Sequence, residues 1–377
     1  MVNILASFIR EREARHDFRN KYSRKSNFRK LRDDNKRLFN ENKILVERIN
    51  KLQGDFDKLK NKRMFKITNA KIISNKKFFD DPNLTEKYQK LINGLDDESL
   101  QCVSQILGRR MLISQQRLSD NENEIRWLDI FSDDEIQQLN KIGKDFKQKI
   151  VSLADGCFAY KQHLLPVKQF RTNVFYYKHD LLKLKHLDRI KNKDVIDAGG
   201  CIADSAIMFT EYINGRIYTF EPTTENYELM IKTISINNSK NIVPVKLALG
   251  SKDEVMQIKV FGGASTLKQD AAAYHMTEKV EEVSVTTLDN FVKEKDLDIG
   301  LIKVDVEGFE PEFLKGAYNT IKKFKPAMLI SIYHSKSDFF NIKPMIESWG
   351  LGYSFQVSRP VDGDISVETM LICEQDS

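Results

Sequence analysis

The chain has 377 residues, of which 41% are hydrophobic, with four cysteines and a net charge of +6. That length exceeds one ordinary small domain and supplies at least one sizeable core, while no apolar run reaches the roughly 18 residues of a membrane helix. Cys102, Cys157, Cys201 and Cys373 are far apart without a C-x-x-C pair, which argues against a disulfide framework or a cysteine zinc site. They are expected as small buried apolar residues. The start, MVNILASFIR followed by REREAR, lacks the basic n-region and cleavage site of a secretory leader, so the expectation is a cytoplasmic protein.

The positive charge is local. Residues 1–65 hold 19 Lys/Arg against 9 Asp/Glu, and the remainder is net acidic. Within this arm Leu31, Leu38, Leu45, Leu52 and Leu59 recur every seven residues, and Phe28, Asn35, Asn42, Ile49 and Phe56 stand three before each. Leucines at d and a mixed apolar and Asn row at a make a coiled-coil seam, predicted over 28–59 and expected to drive self-association. Phe39 and Val46 at e widen the stripe, so a trimer or tetramer is as compatible as a dimer. The Arg/Lys-rich segment 10–30 has the composition of a basic arm before a zipper, but not the spaced Asn, Ala and Arg of a DNA-reading helix. Nucleic-acid binding is therefore the lesser reading, and attraction to an anionic membrane surface is a third.

Residues 66–173 read as an irregular helical linker or cap. LDDESLQCVSQILGRRM (95–111) opens on Asp caps, and Ser132-Asp-Asp-Glu135 is a capping box ahead of IQQLNKIGKDFKQKIVSL. No catalytic constellation falls there.

From Asp194 onward strands and helices alternate. DVIDAG, GRIYTFEP, IVPVKLALG, LIKVDV and AMLISIYH read as strands. Helices are predicted from Asp204 to about Ile213 and over TENYELMIKTISINN, PEFLKGAYNTIKKF and DFFNIKPMIESWG, and YSFQVS and ETMLICE close the pattern as two final strands. Continuous apolar strands in such an order imply a mostly parallel seven-strand α/β sheet covered on both faces, whose ligands bind beyond the carboxyl ends of its strands. Asp197, Gly199 and Gly200 occupy the first such turn. The spacing is not a clean GxGxxG, because Ala203 stands where the last glycine would be. Glu221, 24 positions after Asp197, ends the second strand, where a carboxylate can accept both ribose hydroxyls. NAD and S-adenosylmethionine share that ribose. An Asp ahead of the glycines suits a cationic amino-acid end better than a pyrophosphate, and no second substrate domain follows, so S-adenosylmethionine is the expected cofactor. The donor-binding set is Asp197, Gly199, Gly200, Asp204, Ser205, Glu221, Pro222, Ala248 and Asp305.

DAGGCIADS, FEP (220–222), VTTLDNF (285–291), LIKVDVEGFEPEFLKGA (301–317) and SIYH (331–334), in this order, resemble the FkbM-type methyltransferases over roughly residues 174–377. IKVDVEG with the following LKGA is the specific part. The resemblance implies the class I methyltransferase fold (Rossmann-like) and S-adenosylmethionine-dependent O-methylation, commonly of a sugar or related hydroxyl, so a small-molecule or glycan acceptor. Ile332 departs from it, standing where many members have a Glu two residues before the His.

Methyl transfer from a sulfonium is an in-line displacement that needs an aligned acceptor oxygen and a place for its proton. Lys303, Asp305 and Glu307 alternate along one strand and face the same way if it stays regular. Lys303 reads equally as part of a structural ion-pair cluster. Asp305 is expected beside donor or acceptor, and Glu307 to orient the acceptor or hold the turn. His334 closes the next strand, is expected across from Asp305, and is the candidate general base. A strand-end histidine bonding a loop is the plain alternative. His with two carboxylates could also bind a divalent metal, although no metal ligand set is assigned. Ser265 and Thr266 in FGGASTLKQ (261–269) are candidate acceptor contacts, with an ordinary hairpin turn equally compatible.

Overall fold

The computed structural model describes residues 65–67, 69–118, 126–128, 130–153, 156–261, 264–266, 279–362 and 368–375, together with 33–34, 36–37 and 43, which are helical. The heptad segment 28–59 otherwise lies outside the described residues. Phe65–Ser377 groups as one unit, separate from Met1–Met64, so the helical region belongs to the same body as the α/β sheet.

That region contributes α1 (Asn69–Phe79), α2 (Leu84–Ile92), α3 (Asp97–Ser114) and α4 (Asp133–Asp145). α3 starts where Asp96 accepts from Ser99 N at 2.8 Å. α4 starts in the capping box that the Ser132–Glu135 spacing predicts, with both reciprocal bonds present. Glu135 also pairs with Arg109 of α3, tying the two helices together.

The main sheet consists of β1 (Asp194–Ala198), β2 (Ile217–Phe220), β3 (Ile242–Val245), β4 (Ile299–Val304), β5 (Ala327–Ser331), β6 (Tyr353–Ser358) and β7 (Met370–Gln375), in the spatial order 6-7-5-4-1-2-3. β1 to β5 are parallel to their neighbours, and β7 runs antiparallel between β5 and β6. The order reverses between β1 and β4, which opens a crevice beyond their carboxyl ends.

Alternate residues of these strands enter two cores. Ile196, Ile302, Met328 and Cys373 pack on one face with Phe78, Val103 and Ile106 of α1 and α3. Val195, Ile217, Leu301, Leu329 and Ile372 pack on the other with Phe175, Met208 and Phe209. A strand buried on both sides carries an unbroken apolar run for this reason, and each fully buried Leu, Ile or Met contributes about 1.5–3 kcal/mol. α3 covers the sheet edge, where Ser99 Oγ accepts from Val357 N of β6 at 2.9 Å.

Three predicted elements differ. IVPVKLALG divides: Ile242–Val245 stays in the main sheet, whereas Ala248–Leu249 pairs in parallel with residues 285–286 of a second, four-stranded sheet. That sheet is built on the antiparallel strands Glu254–Phe261 and Lys279–Thr286, with Ala264–Thr266 returning beside the first. PEFLKGAYNTIKKF forms two helices, α8 (Glu310–Gly316) and α9 (Tyr318–Phe324), after α5 (Asp204–Phe209), α6 (Thr224–Ile236) and α7 (Leu288–Lys295). Gly316 lies so close to the Gly250 carbonyl that a Cβ there would fall 1.9 Å from its oxygen. Finally, β5 stops at Ser331, and His334 lies in the loop before α10 (Lys336–Glu347). No helix among the described residues is long and apolar enough to cross a membrane.

Candidate active site

β1 and β4 end side by side. Asp305 N donates to Ala198 O at 3.0 Å, and Gly199 turns at φ +79°, where a Cβ would stand 1.8 Å from the Asp305 carbonyl oxygen. Only glycine fits a left-handed position so close to another backbone. The chain continues through two more left-handed residues, Cys201 and Ala203, into α5.

One row of side chains is fixed by register. Thr219, Asp197 and Lys303 are cross-strand partners on β2, β1 and β4. Lys303 Nζ lies 3.0 Å from Asp197 Oδ1, and Thr219 Oγ1 donates to Asp197 Oδ2 at 2.8 Å. Asp197 is 0% and Lys303 2% exposed. Burial disfavours the ammonium, but Asp197 and Asp305 outweigh that and hold its pKa above the usual lysine value. Lys303 also donates to Gly199 O at 2.8 Å, which clamps the glycine turn.

Beyond this row lies a cavity lined by apolar residues that include Phe220, Leu247, Ala248, Leu249 and Phe309, by Gly199, Glu221 and Pro222, and by the charged residues Arg171, Asp305 and Glu307. Five of the predicted donor residues therefore meet around one space: Gly199, Glu221, Pro222, Ala248 and Asp305. Asp197, Gly200, Asp204 and Ser205 do not line it. Asp197 and Gly200 stand behind its wall, with Gly200 fitted against Thr219 Oγ1. Asp204 is buried and faces Arg171, Oδ2 to Nε 3.4 Å. Ser205 Oγ is 2.8 Å from His179 Nε2. Ser265 and Thr266 sit in the short strand Ala264–Thr266, in register with Val260 and Lys259.

Glu221 follows β2, where its Oε1 accepts from Thr223 N at 2.9 Å and Thr223 Oγ1 at 2.6 Å. Burial raises its pKa against those bonds.

At the acidic end the alternation of Lys303, Asp305 and Glu307 is broken. β4 stops at Val304, and Glu307 takes φ +53°, so Lys303 turns inward while Asp305 and Glu307 reach the cavity. His334 sits among three carboxylates: Nε2 is 3.3 Å from Asp305 Oδ1 and 3.5 Å from Glu307 Oε2, and Nδ1 is 3.0 Å from Glu310 Oε1. Glu310, 0% exposed, holds the turn by accepting from Val306 N at 3.0 Å and Gly308 N at 3.3 Å. Burial alone would lower the imidazole pKa, yet Glu310, Asp305 and Glu307 outweigh it and push it up to about 9. The juxtaposition of His334 with Asp305 is the predicted one, but His334 does not line the cavity. Both ring nitrogens face carboxylates instead.

Arg171, Tyr333, Glu310 and Glu368 were not singled out in the sequence. Tyr333 Oη donates to Asp305 Oδ1 at 3.4 Å. Glu368 accepts from Asn173 Nδ2, and burial, with Asp305 adding to it, pushes its pKa up to about 8. Glu310 had a signal, lying inside VEGFEPE. Arg171 and Glu368 had none, since Arg171 precedes the first strand of the sheet and Glu368 comes from the connection between β6 and β7.

With this geometry in place, comparison with known proteins decides the domain. Residues 197–355 match the methyltransferase FkbM domain. Residues 197–355, less than half of the chain, are thus similar to the FkbM methyltransferases. A protein named Methyltransferase 1 from Beauveria bassiana (strain ARSEF 2860) is 26% identical over 191 residues, covering 44% of this chain and 74% of that protein. The solved methyltransferase FkbM from Methylobacillus flagellatus KT is 17% identical with a TM-score of 0.48, over 77% of this chain and 58% of that one, so less than two thirds of its length is spanned. The matched range runs from Asp197 to Phe355, inside β6, and so includes the glycine turn, Glu221, the Asp305 to Glu310 turn and His334. Arg171 and Glu368 of the FkbM domain's surroundings lie outside it.

Proposed function

We propose that the chain is an S-adenosylmethionine-dependent O-methyltransferase acting on a hydroxyl of a small molecule or carbohydrate. The observation that carries this reading is one cavity whose lining joins apolar side chains, the buried carboxylate of Glu221 and the carboxylates of Asp305 and Glu307. The residues fit the donor's chemistry: Leu247, Leu249 and Phe309 for an adenine face, Glu221 for ribose hydroxyls, and Asp305 for a cationic or hydroxyl group. When bound, S-adenosylmethionine supplies an electrophilic methyl group on sulfur.

The chain's own residues have three tasks. Gly199 and the Lys303 clamp keep the backbone clear of the donor pocket. Asp305 and Glu307 would hold the acceptor hydroxyl and accept its proton as the oxygen takes the methyl group that the bound donor would supply. His334, reaching the cavity only through those carboxylates, is a positioning residue in this reading, not the base that its strand-end location in the sequence points to. Orientation by Arg171 completes the acidic end. Self-association through residues 28–59 belongs to the same proposal and rests on the leucine heptads. It is tested by removing residues 1–65, which is expected to lower the mass seen in light scattering and leave donor binding intact. An unchanged mass removes self-association from the reading.

The primary test is calorimetric titration of the full chain with S-adenosylmethionine and with its demethylated product. Saturable binding that is weakened in Glu221→Ala supports the donor assignment. Folded protein that binds neither compound overturns it.

A further inference from the structure

We propose that Arg171 binds a carboxylate group of a ligand in the cavity, with Asp204 behind it as the counter-ion that holds the guanidinium in place. What enters the cavity rests on the methyl-transfer reading above; the charge it carries follows from the side chains that meet it.

The first observation is the charge at the cavity surface. Among the described residues that line it, Arg171 is the only cation, and Glu221, Asp305 and Glu307 are the carboxylates. The second is how the guanidinium is held. Asp204 has a side chain 1% exposed, and its Oδ2 lies 3.4 Å from Arg171 Nε, whereas the Arg171 side chain is 31% exposed. A buried carboxylate is costly without a partner, so Asp204 ties the guanidinium down from its Nε side. Four of the five guanidinium N–H donors are on the terminal nitrogens. The Cys201 thiol also bonds Arg171, but burial pushes its pKa up to about 11, so it brings no charge and is a weak acceptor. The third observation is the backbone. Arg171 O accepts from Phe175 N at 3.0 Å, and Val174 and Phe175 are buried in the core, so the side chain starts from a fixed point.

The balance of charge selects the ligand class. One guanidinium shares the lining with three carboxylates, so a phosphate dianion meets more repulsion than attraction there. A single carboxylate carries half that charge and matches the planar donor fork. Arg171 is also one of the cations that hold the Asp305 carboxyl below its usual pKa, so the two side chains act on the same region of the cavity. The matching ligand therefore carries a carboxylate close to a group that Asp305 accepts, an ammonium or a hydroxyl. Two participants in the proposed reaction have that chemistry. One is the amino-acid end of S-adenosylmethionine, with ammonium and carboxylate on one carbon. The other is an acceptor that is a hydroxy acid, such as a uronic acid. Neutral polyols and phosphorylated acceptors lack it.

The test is calorimetric titration of the full chain with S-adenosylmethionine and with its decarboxylated form, which differ in that one group. If the carboxylate is the donor's, the wild type prefers S-adenosylmethionine by about 10- to 100-fold, the range for hydrogen bonds to a charged group. Arg171→Met then abolishes the preference by weakening S-adenosylmethionine alone. If the carboxylate is the acceptor's, the two donor forms bind alike. Glucuronate but not glucose then binds, with or without the demethylated donor present, and Arg171→Met loses it. Should that variant fail to fold, Arg171→Lys keeps the charge without the fork and is expected to reduce the same discrimination several-fold. An equal loss of both donor forms in folded Arg171→Met, or no carboxylate-dependent binding in either arm, overturns the assignment. Donor forms bound without discrimination, and no glucuronate binding, remove the carboxylate site and keep the methyl-transfer reading. Glucuronate bound through Arg171 by protein that takes neither donor form does the reverse.

Discussion

Asp197 and Asp305 end adjacent strands, yet their surroundings are opposite. Asp197 is enclosed, with Lys303 on one oxygen and Thr219 on the other. Asp305 borders a cavity, shares His334 with Glu307 and Glu310, and accepts from Tyr333. The first carboxylate has one cation assigned to it by register and no space for a ligand. The second shares one imidazole with two further carboxylates and has space beside it. A carboxylate at a strand's carboxyl end is thus a site or a strut according to what the neighbouring strand sets opposite it.

Lys303→Met should break the strut most severely. It leaves Asp197 buried without its cation, at a cost of about 3–5 kcal/mol, visible as a lower denaturation midpoint. Asp197→Asn in the same chain should recover part of that loss, and a double mutant no more stable than Lys303→Met would show that the pair is not the source. Asp305→Asn is expected to do the converse: methyl transfer falls by about 10² to 10⁴ while the unfolding midpoint moves little. Turnover at the wild-type level would place the chemistry elsewhere in the cavity. Glu221→Ala comes next, weakening donor binding by about 1.5–3 kcal/mol, the range for hydrogen bonds to a charged group, as read by calorimetry. Ser132→Ala is the smallest and serves as a control remote from both aspartates. Loss of the α4 cap should cost about 1 kcal/mol and leave donor affinity unchanged.

Much of this contrast was not visible along the chain. The parallel strands were legible because each is an unbroken apolar run, and the α4 cap because capping is local. The Asp305–His334 juxtaposition followed from two neighbouring strand ends. What escaped was whatever depends on where a strand stops. One residue more or less of β4 decides whether Lys303, Asp305 and Glu307 share a face, and the left-handed Glu307 ends the alternation. The same limit misplaced the acidic residues of the first turn. DAGGCIADS places Asp197 two residues before the glycines and Asp204 four after them, and only packing reveals that one meets Lys303 and the other Arg171. Arg171 and Glu368 are separated from the strand-end motifs by sequence, so no spacing rule could have joined them to the site.

The position of β7 has a consequence for the order of folding. β6 touches the sheet only through β7, which follows it in the chain and inserts between it and β5. β6 therefore has no strand to dock on when it is synthesised. The two must meet as an antiparallel hairpin across residues 359–369 before they can join β5, or β7 must dock first and recruit β6 to its free edge. Either route delays the closure of that half of the sheet relative to β1 and β4, which hold the glycine turn. In hydrogen–deuterium exchange during refolding, amides of β1 and β4 should gain protection before those of β6.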